Sequence, residues 1–336
     1  MKKLTGLFFL LFTISILSQQ TMMHIQKTDG SKDTIRLSDI VKIYFTNAGP
    51  NPSNAGMLFY RYNSGNYANS DIYKMNADGS GSVKLIDRGG IEAYAKWSDD
   101  LSKIVFTSNA STTNAQEIFI ANFDGTGQQQ LTNSAPQYGN SNAIFRSSTK
   151  IWYANAQSTG VTEIWEVNTD GTGNHQLTNF SSIPKSGDIY DFNSSKTKVL
   201  YYKQNPSWSP TGELYIANID WSGEIQLTSN GVVDAQGDIS PDGTKIVFYH
   251  NESPSGYNSP NNIYIMNSNG TQSVKLTNFT GNNSGFSPRF SPDGTKIAYC
   301  YHNGTQQDII VMNLDGTNQV NITNTPDVDE ALTDWR

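Results

Sequence analysis

One phrase, written six times, constrains this chain more than any other feature of it. It reads DIYKMNADG at 71–79, EIFIANFDG at 117–125, EIWEVNTDG at 163–171, ELYIANID at 213–220 with a delayed Gly223, NIYIMNSNG at 262–270 and DIIVMNLDG at 308–316. Its turn residues Asp78, Asp124, Asp170, Asp220, Asn269 and Asp315 recur every 46 to 50 positions. Each phrase alternates apolar residues and stops at or near Asp-Gly or Asn-Gly, the chemistry of a tight hairpin that needs positive φ. A few residues later comes Leu131-Thr132, Leu177-Thr178, Leu227-Thr228, Leu276-Thr277, Ile322-Thr323 or the weaker Leu85-Ile86. Upstream lies another strand pair, clearest from Ile239 to Phe248 and from Phe290 to Tyr299. Degenerate copies run from Trp97 to Phe106, Phe145 to Tyr153 and Phe192 to Tyr201. Four antiparallel strands per unit of about 45 residues are the signature of a propeller blade. The expected fold is all-β, a six-bladed β-propeller of four-stranded antiparallel blades.

The ends of the repeat array indicate how the ring closes. Residues Met57 to Tyr60 match the second strand of a blade, yet no first strand stands before them. At the far end, Ala331 to Trp335 aligns Trp335 with Trp97 and Phe290. The C-terminal strand should therefore be the innermost strand of blade one, which removes the unpaired sheet ends of an open array.

Composition narrows the function. The 336 residues carry a net charge of −7, and a diffuse negative charge argues against sequence-independent nucleic-acid binding. Cys300 is the only cysteine, so a disulfide framework, a CxxC pair and a Cys-rich zinc site are excluded. It reads as a small buried hydrophobe. Lys2 and Lys3 precede an uncharged apolar run from Leu4 to Leu17 that breaks at Ser18-Gln19-Gln20. That run is short for a bilayer span and suits a signal peptide over 1–18. The mature protein is expected to be a periplasmic or secreted monomer without membrane insertion. Residues 22–46 read as a small β leader: a hairpin of Ile25 to Lys27 with Thr34 to Leu37, then a third strand through Val41, Ile43 and Phe45. Residues 47–56 are a linker by composition, and 57–336 the propeller.

Ser-Pro-Asp-Gly-Thr-Lys-Ile at 240–246 and 291–297, followed by the Asp-Gly phrase and Leu-Thr-Asn, resembles the TolB-type propeller repeat, a WD-like repeat, over residues 57–336. Blades three and four depart from it, with Ser147-Ser148 and Asn193 to Lys196 in place of Ser-Pro-Asp-Gly. The resemblance implies an exported bacterial propeller used mainly to bind proteins. The amino-terminal domain that accompanies the propeller in TolB is not expected here. Propellers of this type also serve enzymes, so the fold alone does not decide function.

Repetition separates scaffold from site. The Asn-x-Asp-Gly phrases read as turns rather than calcium loops, since Lys74, Ile120 or Val311 stands where the first acidic ligand would be. Glu166 to Gly171 comes nearest but has no acidic twelfth residue. The third-strand openers Asp71, Glu117, Glu163, Glu213, Asn262 and Asp308 also repeat and read as structural. No Gly-x-Ser-x-Gly elbow, His-Glu-x-x-His or phosphate-binding glycine loop occurs, so no catalytic residue, metal ligand set or cofactor is assigned. His250 and His302 hold nearly equivalent places after the second strands of blades five and six. Related propeller lyases hold a metal with histidine clusters, which flags this pair; a surface role is the simpler reading.

Topology sends the second-to-third strand loops and the blade-to-blade loops to one face, where they are long and varied. The aromatics unique to these loops are Tyr62, Tyr67, Tyr138, Trp208 and Tyr257. Glu92, Asp188, Asp234, Asp329 and Glu330 stand ahead of the innermost strands and would rim the central funnel. With His250 and His302 they form the candidate binding face for a protein or glycan ligand of the cell envelope or exterior. The alternative is a lyase-like carbohydrate-active enzyme in the funnel, using His250, His302, Asp188 and Asp234.

Overall fold

A computed structural model of the chain describes residues 22–26, 32–36, 56–63, 68–110, 115–134, 139–156, 161–179, 187–204, 211–253 and 260–336. The chain divides into two compact units, Met1–Ser53 and Asn54–Arg336. In the first, Met22–Gln26 pairs antiparallel with Lys32–Arg36. This is the expected hairpin, with its first strand beginning at Met22 rather than Ile25. The segment 1–18, the third leader strand at 41–45 and linker residues 47–55 lie outside the described residues.

The second unit is six four-stranded antiparallel sheets, with no helix among the described residues. Blade two shows the pattern: Glu92–Trp97, Lys103–Ser108, Glu117–Asn122 and Gln129–Gln130 run from inside to outside in chain order. Blade one instead takes its inner strand from Val328–Trp335, which pairs with Met57–Asn63 and sets Trp335 opposite Met57. The C-terminal strand closes the ring, as the sequence alignment requires.

Burial follows the pleat. A strand inside a propeller is covered on both sides by neighbouring blades, so both sets of alternating side chains are apolar. In Lys103–Ser108, Ile104 and Phe106 join a core with Leu58 and Ile72 of blade one, while Val105 joins one with Phe145 and Tyr153 of blade three. Six such apolar clusters fill the six interfaces between blades. The closing cluster joins Cys300 and Ile309 of blade six to Met57, Phe59 and Trp335 of blade one. Burial pushes the Cys300 thiol up to about 12, consistent with an inert core residue.

One set of hydrogen bonds recurs on the turn face. Asp124 Oδ1 accepts from the Thr126 N–H at 3.0 Å, and Asp78, Asp170, Asp220, Asn269 and Asp315 repeat the contact. In blade five, Ser240 Oγ accepts from the Lys245 N–H at 2.9 Å. Blade four lacks that serine and uses Asn193 Oδ1, which accepts from Thr197 and Lys198. The Leu-Thr phrase and the third-strand openers form a second repeated tie. Thr132 Oγ1 accepts from the Ile118 N–H at 2.9 Å and donates to Glu117, and Thr178 with Glu163, Thr277 with Asn262 and Thr323 with Asp308 do the same. Each clamps the outer edge of a blade, the structural role read from repetition.

Candidate functional site

The inner strands run from the loop-rich mouth toward the turn face, and every one carries a bulge in its register with the second strand. In four blades the bulge holds a non-glycine residue at positive φ: Tyr94 at 55°, Asn142 at 48°, Gln236 at 53° and Ser287 at 48°. That conformation is uncommon for such residues and marks where the strand leaves its regular pleat. The residues at these bulges differ from blade to blade. Gln236 Oε1 accepts from the N–H and the hydroxyl of Ser287 at 2.9 and 3.1 Å. Asn142 Nδ2 donates to Asp188 Oδ2 at 2.6 Å, which ties blade three to blade four.

Below the bulges lies a charged layer that the sequence reading missed. The residue before the aromatic or isoleucine that ends each inner strand is Lys96, Ile144, Asp191, Asp238, Arg289 or Asp334. Each of the three aspartates accepts a backbone N–H from the next blade: Asp191 from Ile239 at 3.0 Å, Asp238 from Phe290 at 2.8 Å and Asp334 from Trp97 at 2.9 Å. Arg289 donates to the carbonyls of Thr333 and Gln236 on the two adjacent blades. Arg336 reaches Asp334 at 3.6 Å and Asp191 at 3.9 Å. Burial would raise the Asp334 carboxyl, but Arg336, Lys96 and the Trp97 N–H hold it below the usual range. Burial and the adjacent Asp191 push Asp238 up to about 6, and burial brings Lys96 down to about 8. The missed signal was a column in the repeats, charged in five of six inner strands that are otherwise mostly buried.

Four of the five mouth acids are committed to the fold. Glu92 is fully buried and accepts from the Ser108 hydroxyl at 2.7 Å and the Arg88 N–H at 3.1 Å. Asp234 is fully buried between the Asn230 amide at 2.7 Å and His250 Nδ1 at 2.7 Å. Asp329 accepts from the Gln307 N–H at 2.7 Å, and Glu330 pairs through Oε1 with Arg61 at 2.7 Å, its Oε2 being buried without a hydrogen-bond partner among the described residues. His250 is a blade-five residue throughout. Burial would lower its imidazole, yet Asp234 outweighs this and raises it, while the ring packs 4.8 Å from that of Tyr264. His302 Nδ1 accepts from the Gly304 N–H at 3.1 Å, and no contact joins it to His250. Among the described residues, no three histidine, cysteine or acidic side chains are grouped to hold a metal ion. Tyr62 packs on Tyr60 with ring centroids 5.8 Å apart. Tyr67, Tyr138, Trp208 and Tyr257 lie outside the described residues.

Asp188 differs from the other four in lining a cleft. It borders a cleft of about 300 Å³ where blades three, four and five meet, together with Tyr190, Tyr202, Tyr249, Gln236 and Thr162. Its Oδ1 is shielded from solvent and has no hydrogen-bond partner among the described residues. Burial outweighs the Asn142 amide and pushes the carboxyl up to about 7. The Tyr202 hydroxyl lies where a side chain at 212 would stand, 2.0 Å from a β-carbon built on Gly212. Glycine at that position lets the ring lie along the cleft wall. None of these three tyrosines was singled out from the sequence, because a tyrosine within a strand reads as core.

No family model matches the chain. No curated protein matches it either. Among solved structures it is similar to TolB from Acinetobacter baumannii, at 18% identity and a TM-score of 0.64, covering 83% of this chain and 66% of that one. A chain described as TolB from Agrobacterium tumefaciens superposes with a TM-score of 0.59 at 14% identity, covering 82% of this chain and 98% of that one. An oligogalacturonate lyase in complex with manganese does so with a TM-score of 0.50 at 14% identity, covering 79% and 73%. At these identities the likeness is one of fold, and the fold is a TolB-type six-bladed β-propeller.

Proposed function

We propose that this is an exported binding propeller that takes a protein or glycan ligand of the cell envelope or exterior on its loop-rich face. One observation carries the reading: of the acids and histidines at the described mouth, Asp188 lines the cleft and keeps its Oδ1 unbonded, whereas Glu330, whose Oε2 is also unbonded, is ion-paired to Arg61. Glu92, Asp234, Asp329 and Glu330 each hold blade or loop together, and among the described residues no second carboxylate or histidine lines the cleft with Asp188. General acid–base chemistry needs such a partner within reach of the substrate. Recognition needs only a shaped, partly apolar cleft with a few placed polar groups. The likeness to TolB structures agrees with a binding role, and the charge pattern of residues 1–20 supports export.

The test is capture from an envelope extract or culture medium by the immobilised protein. Changing Trp208 and Tyr257 to Ala should weaken capture by about 2 kcal/mol each if they anchor the ligand, with unchanged melting. Matched changes at Thr126 and Thr172 on the turn face should leave capture intact. Loss of capture in the turn variants, with the loop variants unaffected, would place the ligand on the other face and refute the reading.

The lyase-like alternative draws on the Asp188 carboxyl, whose pKa of about 7 suits a general base, and on the manganese-bound lyase among the similar structures. Turnover of a uronate oligomer that is lost in Asp188→Asn would establish it in place of the binding reading.

A further inference from the structure

We propose that the cleft at the junction of blades three, four and five is a recognition site for an organic ammonium group, with Asp188 as counter-charge and Tyr190, Tyr202 and Tyr249 as its walls. This rests on the binding reading and names the chemistry recognised on that face. A carboxylate at the edge of a shaped cleft, with one oxygen shielded and unbonded, is a costly arrangement unless a ligand completes it. Among the described residues the cleft lining supplies no lysine, arginine or histidine to do so. A positive charge carried by the ligand would complete the pair.

The walls favour the same chemistry. Tyr190 and Tyr202 stand with ring centroids 6.3 Å apart and planes tilted by 46°, and Tyr249 borders the same space. An ammonium or alkylated ammonium gains from aromatic faces as well as from a carboxylate, whereas a second anion would be repelled. Asn142 holds Oδ2 at 2.6 Å and thereby fixes the carboxylate, leaving Oδ1 for the guest. Oriented acceptor and preset walls lower the ordering cost of binding.

The ionisable groups around Asp188 give the pH response a definite sign. Tyr190 on its own strand, Tyr202 on the second strand of blade four, Tyr249 on that of blade five and Tyr94 across the mouth are all raised by burial and by each other or by Asp188. They stay neutral below pH 9 and add no charge. Asp234 is engaged with His250. Asp188 is the titrating group on the cleft itself, while His250 beside Asp234 lies outside its lining: with a pKa of about 7 Asp188 is mostly neutral at pH 6 and mostly ionised at pH 8, so affinity for a permanent cation should fall about tenfold from pH 8 to pH 6.

The experiment is calorimetric titration of the full chain with tetramethylammonium and with butylammonium at pH 8 and pH 6, using the neutral isostere neopentane-type alcohol 3,3-dimethylbutanol as control. The expected result is saturable binding of both cations at pH 8, little of the alcohol, and the tenfold loss at pH 6. Asp188→Asn, isosteric and still able to meet Asn142, should weaken binding at least about tenfold while the chain stays folded with a melting temperature no lower than the parent's. Tyr202→Leu should weaken it several-fold and Tyr202→Phe restore it, which a purely structural role for the hydroxyl would not do. A competing lysine-bearing peptide that displaces the probe, where glucosamine oligomers do not, identifies a protein side chain as the natural cation. The reverse identifies an amino sugar, and displacement by neither overturns the proposal. Equal binding by Asp188→Asn, equal binding of the alcohol, or no saturable binding at pH 8 also overturns it. The capture experiment with Trp208 and Tyr257 is read separately, so either result can fail without the other.

Discussion

Asp188 and Asp191 lie on the same inner strand, three residues apart, and live in opposite circumstances. Asp191 accepts the Ile239 N–H of the next blade, and Arg336 faces it. Asp188 has the Asn142 amide on one oxygen and, among the described residues, no hydrogen-bond partner on the other. The deeper acid belongs to a layer that ties blades together around the axis, its charge offset by Lys96, Arg289 and Arg336. The upper acid borders a cleft whose described lining holds no cation. Burial acts on both levels, but only below is the charge compensated. Where a buried charge is tied, the fold is using it; where it is left open beside a cleft, the surroundings are shaped for something else.

The comparison can be broken most drastically from below. Removing residues 330–336 takes away the inner strand of blade one together with Asp334 and Arg336, leaving two sheet edges exposed. The truncated chain should lose its cooperative thermal transition or aggregate; unchanged melting would refute closure by that strand. Next in size is Asp334→Ala. It strands the Trp97 N–H and leaves Lys96 and Arg336 without their shared partner, and should cost about 3–5 kcal/mol in denaturant unfolding.

The upper acid should respond in the opposite direction. The folded pKa of Asp188, about 7, exceeds its unfolded value, so its contribution to stability is full below about pH 4 and is lost as pH rises toward 7. Asp188→Asn should therefore stabilise the protein at pH 8 by about 2 kcal/mol while leaving it little changed at pH 4. Asp238, raised to about 6, contributes with the same sign, so the variant flattens the pH profile without abolishing its slope. Equal melting of the two proteins at pH 8 would show that Asp188 is solvated and the contrast false. The smallest effect belongs to the turn face. Thr126→Ala removes two exposed hydroxyl contacts, one donated to Asp124 and one accepted from Asn122, in a turn made six times over, and should cost no more than about 0.5 kcal/mol.

Much of the fold was legible because the physics repeats. Asx–Gly turns need positive φ, the strands between them must alternate, and a blade missing its first strand must find it elsewhere in the chain. Gly79, Gly125, Gly171, Gly270 and Gly316 all adopt the positive φ their sequence position implies. The site was legible in a coarser way. Asp188 was among the acids ranked at the mouth, but nothing in the sequence separated it from Glu92 or Asp234, which stand at comparable places in their blades. What separates them is whether a partner arrives from another strand: Ser108 for Glu92, His250 for Asp234, and none for the second oxygen of Asp188.

The sequence by itself determined the number of blades, the strand order within each, the turn chemistry and the closure of the ring, since all of these follow from local conformation and from period. Only the tertiary structure decided which charges are spent and which are free. Compensation of a charge depends on atoms three to four ångströms away on blades distant in sequence. The contacts of Asn142 with Asp188 and of Gln236 with Ser287, and the meeting of three tyrosines beside one carboxylate, exist only once the blades stand around a common centre.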